Sequence, residues 1–209
     1  MQLLQHEIPA AELPTGNAET WFARISTHEN AAKEGTASWQ EFDSGTRRDH
    51  CERERDYTPD VFDARQVLSW DDMINADAVP GWKDVQMSVW EMCHSIPSPL
   101  KDRVFAVVCL TAMAEGGKSW IVVQMPVKVK KVQGTGYVGT ERVQEGVYVS
   151  VERGDLVEEG AKVKWTMATA SDAQGALPMW AQKMGVPGAV VKDVGLFMDW
   201  AEKRRKGQA

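Results

Sequence analysis

The amino-acid sequence predicts an α+β fold in which a curved antiparallel β-sheet wraps around one long C-terminal α-helix. Between residues 64 and 171 the chain falls into six strand-like segments. No helical segment lies between them, so successive strands run antiparallel. From 177 to 207 apolar residues recur at helical spacing instead. Because such a sheet cannot fill its own concave face, we expect the helix to cover part of that face and to leave an internal hydrophobic cavity.

The N-terminal segment, residues 1–20, is predicted to form an arm or a short helix. Pro9, Pro14 and Gly16 interrupt it, and no regular period is visible. The remaining residues, 21–207, are predicted to form a single ligand-binding domain, because no low-complexity linker or internal repeat divides them.

Helix and strand boundaries follow from caps and turns. Ser38 with Glu41 three residues later has capping-box spacing, which predicts a helix over 39–51. The C-terminal helix is expected to kink or divide at the glycine–proline stretch 185–188. Strands are predicted at 64–70, 84–96, 103–115, 118–132, 145–154 and 161–171.

Composition excludes several classes of function. The 209 residues carry a net charge of -6, so we expect no nucleic-acid partner. No apolar run reaches the roughly 18 residues of a membrane span, and the N-terminus lacks a signal-peptide pattern. Cys51, Cys93 and Cys109 are too widely spaced for a disulfide framework or a zinc knuckle, which fits a cytoplasmic location. The oligomeric state stays open, a homodimer included.

A literal G-x-G-x-x-G occurs at Gly134, Gly136 and Gly139. It marks a dinucleotide site only where a strand precedes it and a helix opens directly after it. A strand does precede it, at 122–132, but the residues that follow continue as a strand. We therefore predict a flexible hairpin loop with Tyr137 at its tip, and no bound NAD or other cofactor.

Three stretches carry motifs that go beyond the fold class. Residues 21–42 contain W-x-x-R-x-S-x-H, residues 146–154 contain S-V-E, and residues 165–200 contain M-A-T-A-S-D followed by a Val-Pro-Gly corner. Together they resemble a family of fungal START-like proteins of unknown function, within the StAR-related lipid-transfer superfamily. The resemblance implies a helix-grip fold with a hydrophobic cavity, but no known activity. Family members usually carry a longer helical segment before Trp21, so we expect a more open pocket here, or one that a partner closes.

The two-residue period of the strands selects the candidate site residues. On 161–171, Lys162 and Lys164 mark the outer face, because bare lysines seldom point inward. On 118–125 both faces are apolar, so the inner face is undecided, and Gln124 is a lone polar residue suited to a ligand hydrogen bond. The predicted ligand-binding residues are Trp90, His94, Gln124, Tyr148, Ser150, Trp165, Met167, Trp180 and Met184. The predicted polar orienters are Arg24, His28 and Glu152.

Each candidate also has a purely structural interpretation. Nine tryptophans and ten methionines suit a packed core as well as the wall of an apolar pocket. Arg24 and Glu152 are candidates for a buried ion pair. His50 and Glu54 share a helix face and are interpreted as a solvated pair. Adjacent Cys and His at 93–94 point to opposite faces of a strand and cannot react together, and no spacing typical of a metal site is present.

Two functions are therefore compatible with the sequence. The first is binding of a hydrophobic small molecule, such as a lipid, polyketide or terpenoid, in the internal cavity. The alternative is a cofactor-independent enzyme of secondary metabolism, a cyclase, dehydratase or pericyclase, which would hold a flexible intermediate in a reactive conformation. The sequence leaves open whether turnover occurs.

Overall fold

A computed structural model describes residues 1–74, 79–129, 132–172 and 179–208, with 179–184 as backbone only. The described residues contain one sheet of eight strands in the order β1-β2-β8-β7-β6-β5-β4-β3. All neighbouring pairs are antiparallel, as predicted, and a short additional pairing between β5 and β7 is parallel. The strands are β1 (Gln2–Ile8), β2 (Glu19–Glu29), β3 (Val61–Ser69), β4 (Trp82–His94), β5 (Arg103–Ala114), β6 (Ser119–Pro126), β7 (Gln144–Val157) and β8 (Lys162–Asp172).

The N-terminal segment contains an edge strand, β1, where a short helix was one of the two predictions. Residues Gln2–Ile8 pair with Glu19–Ile25 of β2, and nearly all of their side chains are exposed. An edge strand that is exposed on both faces needs no alternation of apolar and polar residues. This is why the sequence shows no period there.

Two short helices lie between β2 and β3, α1 (Trp39–Phe42) and α2 (His50–Tyr57). The predicted capping box is present, because the backbone N–H of Ser38 donates to Glu41 and that of Glu41 to the Ser38 hydroxyl. The prediction of one helix over 39–51 is wrong. A π-helical turn, in which each backbone N–H bonds to the carbonyl five residues earlier, follows α1. Asp49 then adopts a left-handed backbone conformation, with φ 50°, before α2 begins.

The C-terminal helix, α3 (Met179–Arg205), is continuous through Pro187, so the predicted division is not observed. A buried stripe consisting of Val190, Val194, Phe197 and Ala201 faces the concave side of the sheet. The burial of this stripe stabilises the helix by more than the single hydrogen bond that an internal proline removes.

An aromatic cluster fills one end of the concave face. The ring centroids of Phe42, Trp165 and Phe197 lie 4.9–5.6 Å apart, with Trp120 close by in the same core. Gly154 makes room for Trp120, because a Cβ at residue 154 would lie 2.3 Å from the indole ring. These aromatic residues pack against one another in the core.

The glycine-rich loop packs on the convex face, away from α3. Glu91 of β4 points outward beneath this loop and is fully buried. Its carboxylate accepts backbone hydrogen bonds from Gly136 at 2.7 Å, Tyr137 at 3.0 Å and Val138 at 2.7 Å. The loop thus cradles an anion, but the anion is a side chain of the same protein. Tyr137 additionally donates to Asp63 at 2.7 Å.

Candidate functional site

The strand register brings predicted site residues into rows across the concave face. Arg24 of β2 lies beside Met167 of β8, and Met167 lies beside Glu152 of β7. Next to Glu152 stands Val122 of β6, which is fully buried like Trp120 and Gln124. The inner face of β6, which the sequence left undecided, is therefore the face of Trp120, Val122 and Gln124.

Five ionisable side chains converge beneath α3, and we call them the interior polar cluster: Arg24, His50, Glu54, Glu152 and Asp193. His50 Nε2 lies 3.7 Å from Glu54 and 3.9 Å from Glu152. The pair His50 and Glu54, interpreted from the sequence as solvated, lies inside the protein. Burial disfavours the imidazolium of His50, but Cys109, Glu152 and Glu54 outweigh that effect and raise its pKa to about 9.

Arg24 is 1% exposed and stacks on Trp165, with its guanidinium carbon 3.9 Å from the ring centroid. Its Nε and Nη1 have no hydrogen-bond partner. The predicted ion pair between Arg24 and Glu152 does not form within 4 Å among the described residues. Instead, Trp165 Nε1 donates to Glu152 at 2.9 Å. Burial lowers the pKa of Arg24, against the opposing effects of Glu152 and Asp193.

Two acidic members of the cluster, Glu54 and Asp193, have pKa values that are raised toward the neutral form. Burial, together with Glu54, raises the pKa of Asp193 to about 7, although Arg24 counteracts the shift. Burial also raises the pKa of Glu54. Asp193 lies one turn before Phe197 on α3, beside the buried stripe, and is itself half-buried.

Two tyrosines border the cluster, Tyr57 on α2 and Tyr148 on β7. Both are only half-buried, yet burial is the main cause that raises the pKa of each. Tyr57 packs edge-on against Phe197 and Trp200 of α3, and Tyr148 packs against Phe105 of β5.

Several predicted site residues are engaged by neighbouring side chains. Ser150 donates to Gln124 at 3.1 Å, and Gln124 donates to the Cys51 thiol at 3.6 Å. Trp90 donates to Ser88 at 2.7 Å. His28 lies 2.8 Å from the Ser26 hydroxyl, and burial followed by Arg24 lowers its pKa to about 4.

His94 lies in a separate part of the concave face, away from the interior polar cluster. Its ring meets Phe105 edge-on with centroids 5.2 Å apart, and Phe105 in turn contacts Tyr148. Burial lowers the pKa of His94 to about 4, so it is neutral at physiological pH. Trp180 and Met184, two further predictions, lie outside the described side chains.

A hollow of about 680 Å³ opens beside the N-terminal half of α3, a volume in the range of small-molecule sites. It is bordered by residues 15–20, the ends of β7 and β8, and Val186 of α3. Within the described part of the chain, no helix is long and apolar enough to cross a membrane. Over the same residues, no three His, Cys, Asp or Glu side chains are placed to hold a metal ion.

The curved sheet around a C-terminal helix defines a START-like helix-grip protein. Among solved structures, human StAR-related lipid transfer protein 5 is similar with TM-score 0.61 and 12% identity, covering 98% of this chain and 83% of that one. Human STARD10 is similar with TM-score 0.58 and 12% identity, covering 91% of this chain. This chain thus spans 66% of the STARD10 chain. At such identities the likeness establishes the fold alone.

The chain belongs to a family described as a protein of unknown function (DUF3074), whose model matches residues 21–201. The family resemblance seen in the sequence is thereby confirmed. A similar curated protein is the uncharacterized protein C577.11 of the fission yeast Schizosaccharomyces pombe, 27% identical over 198 residues. The match covers 93% of this chain and 74% of the yeast protein.

Proposed function

We propose that this protein binds a hydrophobic small molecule, such as a lipid, polyketide or terpenoid, in the space between the concave face of the sheet and α3. The observation that carries the proposal is the buried guanidinium of Arg24, which has two nitrogens without hydrogen-bond partners and stacks on Trp165. A binding site for an apolar molecule is a mostly apolar enclosure with a few convergent polar groups. The lipid-transfer names of the structurally similar proteins are consistent with this proposal.

The ligand-contacting residues follow from the geometry of the inner wall. Tyr148 and Met167 border the interior polar cluster, while Trp90 and His94 extend the wall toward β4. In this proposal Gln124 and Ser150 support the wall, because they already hydrogen-bond within the protein. The hollow beside the N-terminal half of α3 is the proposed entrance.

The first test is capture of a ligand by delipidated protein. The protein is incubated with a lipid extract of a fungus, re-purified and measured by native mass spectrometry. We expect a one-to-one adduct with an apolar molecule. If the delipidated protein takes up no apolar compound from the extract, the binding function is refuted.

Two residues on β7 supply a matched pair of variants. Tyr148 faces the proposed site, whereas Val151 points away from it, is 37% exposed and lies outside the hollow beside α3. Tyr148→Ala removes an aromatic wall and is expected to weaken binding of the captured ligand at least about tenfold, since a buried aromatic side chain contributes roughly 1.5–3 kcal/mol. Val151→Ala is expected to leave the affinity unchanged.

A second candidate function, a cofactor-independent cyclase, dehydratase or pericyclase, is favoured by the titration of the interior polar cluster. Asp193 with a pKa of about 7 and His50 with a pKa of about 9 are near the range that general acid–base catalysis requires. The test compares the product ratios of a polyketide or terpenoid intermediate with and without the protein. Identical product ratios, or an effect that survives both Asp193→Asn and His50→Gln, contradict the enzyme function.

A cytoplasmic location stays a prediction.

A further inference from the structure

The interior polar cluster contains hydrogen-bond donors that lack acceptors. Arg24 Nε and Nη1 and the nearby Trp120 Nε1 are buried without a hydrogen-bond partner. His50 Nε2 also makes no hydrogen bond, although carboxylate oxygens of Glu54 and Glu152 lie 3.7 Å and 3.9 Å from it. Among the described residues, every buried side-chain nitrogen or oxygen without a hydrogen bond is a nitrogen. A buried donor without an acceptor is costly and is rare in folded proteins. Arg24 therefore lacks oxygen acceptors, which a ligand can bring.

The charges of the cluster indicate the kind of oxygen. Arg24 and His50 contribute two cationic groups, and Glu152 is engaged by Trp165. Burial shifts the two other acids, Glu54 and Asp193, toward their neutral forms. When these acids take up protons, a positive charge without a close counter-ion remains at Arg24. A cationic head group would meet that charge, and a neutral head group would leave it uncompensated.

We propose that the ligand is an amphiphilic monoanion whose carboxylate-type head group binds Arg24, and that binding is coupled to proton uptake at Asp193. This inference rests on the proposed binding function and names the chemical class of the ligand. The apolar body lies along the wall that includes Met167 and Tyr148. The head group lies beneath α3, where a charge-assisted hydrogen bond to Arg24 forms away from water.

Proton uptake follows from simple electrostatics. A second anion near Asp193 disfavours the ionised form of its carboxyl group, so the bound ligand raises a pKa that is already about 7. Binding should then weaken as pH rises through about 7, because the empty site must regain the proton that it has released.

Other titratable groups face the same space from each surrounding element. On β2, His28 has its pKa lowered to about 4 and stays neutral at physiological pH. The groups with raised pKa values on α2 and β7 are Cys51, Tyr57 and Tyr148, in each case mainly because of burial. On β5 the hydrogen bond with Cys51 lowers the pKa of Cys109. Lys192 on α3 faces Asp60 at 3.9 Å. Variants must therefore separate Asp193 from Glu54 and Cys109.

The probes are dodecanesulfonate, dodecanoate, dodecanol and dodecylamine, each used below its micelle concentration with the full chain. They share one tail and differ only in the head group. The sulfonate does not titrate, so any pH dependence of its binding belongs to the protein. Affinity and proton uptake are measured by calorimetry in two buffers of different ionisation enthalpy, between about pH 6 and about pH 8.

For the wild type we expect the two anions to bind at least about tenfold more tightly than dodecanol, from a charge-assisted hydrogen bond in the interior. We expect the sulfonate affinity to fall about tenfold over those two pH units, with net proton uptake on binding. Arg24→Gln is expected to reduce sulfonate affinity to that of dodecanol, and Arg24→Lys to restore part of it.

Asp193→Asn is expected to remove most of the pH dependence of sulfonate binding. Asp199→Asn, which changes an exposed residue of the same helix, is expected to leave it in place. The inference is overturned if dodecanol or dodecylamine binds as tightly as the anions. It is also overturned if Glu54→Gln or Cys109→Ser removes the pH dependence while Asp193→Asn does not. If Arg24→Gln fails to fold, the wild-type series and Asp193→Asn still decide. Failure of every probe, dodecanol included, refutes the binding function itself.

Discussion

Replacing Glu91 by Gln tests whether the glycine-rich loop is held by a buried carboxylate. In the native protein, one carboxylate oxygen accepts from Gly136 and the other from both Tyr137 and Val138. The amide of Gln has a single oxygen. If that oxygen accepts the two hydrogen bonds from Tyr137 and Val138, the side-chain NH2 group takes the other position. It then faces the backbone N–H of Gly136, and two donors meet without an acceptor.

The cost of this change has two parts. The backbone N–H of Gly136 loses its acceptor, and because Gly136 is itself exposed this loss costs about 1 kcal/mol. The two remaining bonds change from charged to neutral acceptors and lose about 1 kcal/mol each. We therefore expect Glu91→Gln to lower the free energy of unfolding by about 3 kcal/mol, measured by urea denaturation.

A matched control lies on β7, where a second carboxylate binds the same loop. Glu145 is exposed and accepts one backbone hydrogen bond, from Gly139 at 3.0 Å. Glu145→Gln is expected to cost no more than about 1 kcal/mol. Hydrogen exchange should also accelerate at the amides of residues 136–138 in Glu91→Gln alone. Equal losses of stability in the two variants, or unchanged exchange at those amides, would refute the reasoning.

Three further predictions concern the core and the cluster. Gly154→Ala is expected to lower the free energy of unfolding by about 1–3 kcal/mol or more through overpacking, since the added Cβ would lie 2.3 Å from Trp120. Urea denaturation measures this loss, and Gly116→Ala, whose added Cβ would have no atom within 4 Å, is the control. Asp193→Asn is expected to stabilise the protein above about pH 7. In the wild type, the carboxyl group of Asp193 loses its proton near pH 3.8 in the unfolded chain and near pH 7 in the folded protein. The stability of the wild type therefore falls between these pH values, by at most about 4 kcal/mol. Thermal denaturation should show that the advantage vanishes below about pH 4. Phe197→Ala, at a fully buried position, is expected to cost about 3–5 kcal/mol by calorimetry, and a loss below about 1 kcal/mol would contradict its place in the core.

The inner face of a strand could be predicted from the sequence where the opposite face carried charged residues. Lys162 and Lys164 identified the outer face of β8, and its inner residues are indeed buried. On β6 both faces are apolar, and only the register, which sets Gly154 opposite Trp120, explains which face is inside. Local signals of this kind are strong when a strand is amphipathic and weak when both of its faces are covered.

Arg24 and Glu152 were predicted as polar orienters, but the other three members of the interior polar cluster escaped prediction because the members are scattered along the chain. His50 and Glu54 have the spacing of an ordinary exposed helix pair, and no residue near them in sequence shows that β7 and α3 cover them. Asp193 did carry a signal, since it lies one turn before Phe197, at a helical spacing that places it beside the apolar stripe of α3. A carboxyl group at the border of a buried stripe is partly desolvated, and this burial raises its pKa.

The strand order also determines when the site can assemble during folding. β3 to β8 are joined in sequence to their neighbours in the sheet, so they can form by successive hairpins. β2 instead pairs with β8, which requires Phe22 and Thr169 to meet across most of the chain. Closing so large a loop is slow, and the β1–β2 hairpin is expected to dock last. Arg24 lies on that hairpin, so a ligand bound by Arg24 would bind only after the hairpin has docked. Such a ligand would stabilise the fully folded protein and not the intermediates that lack β1 and β2.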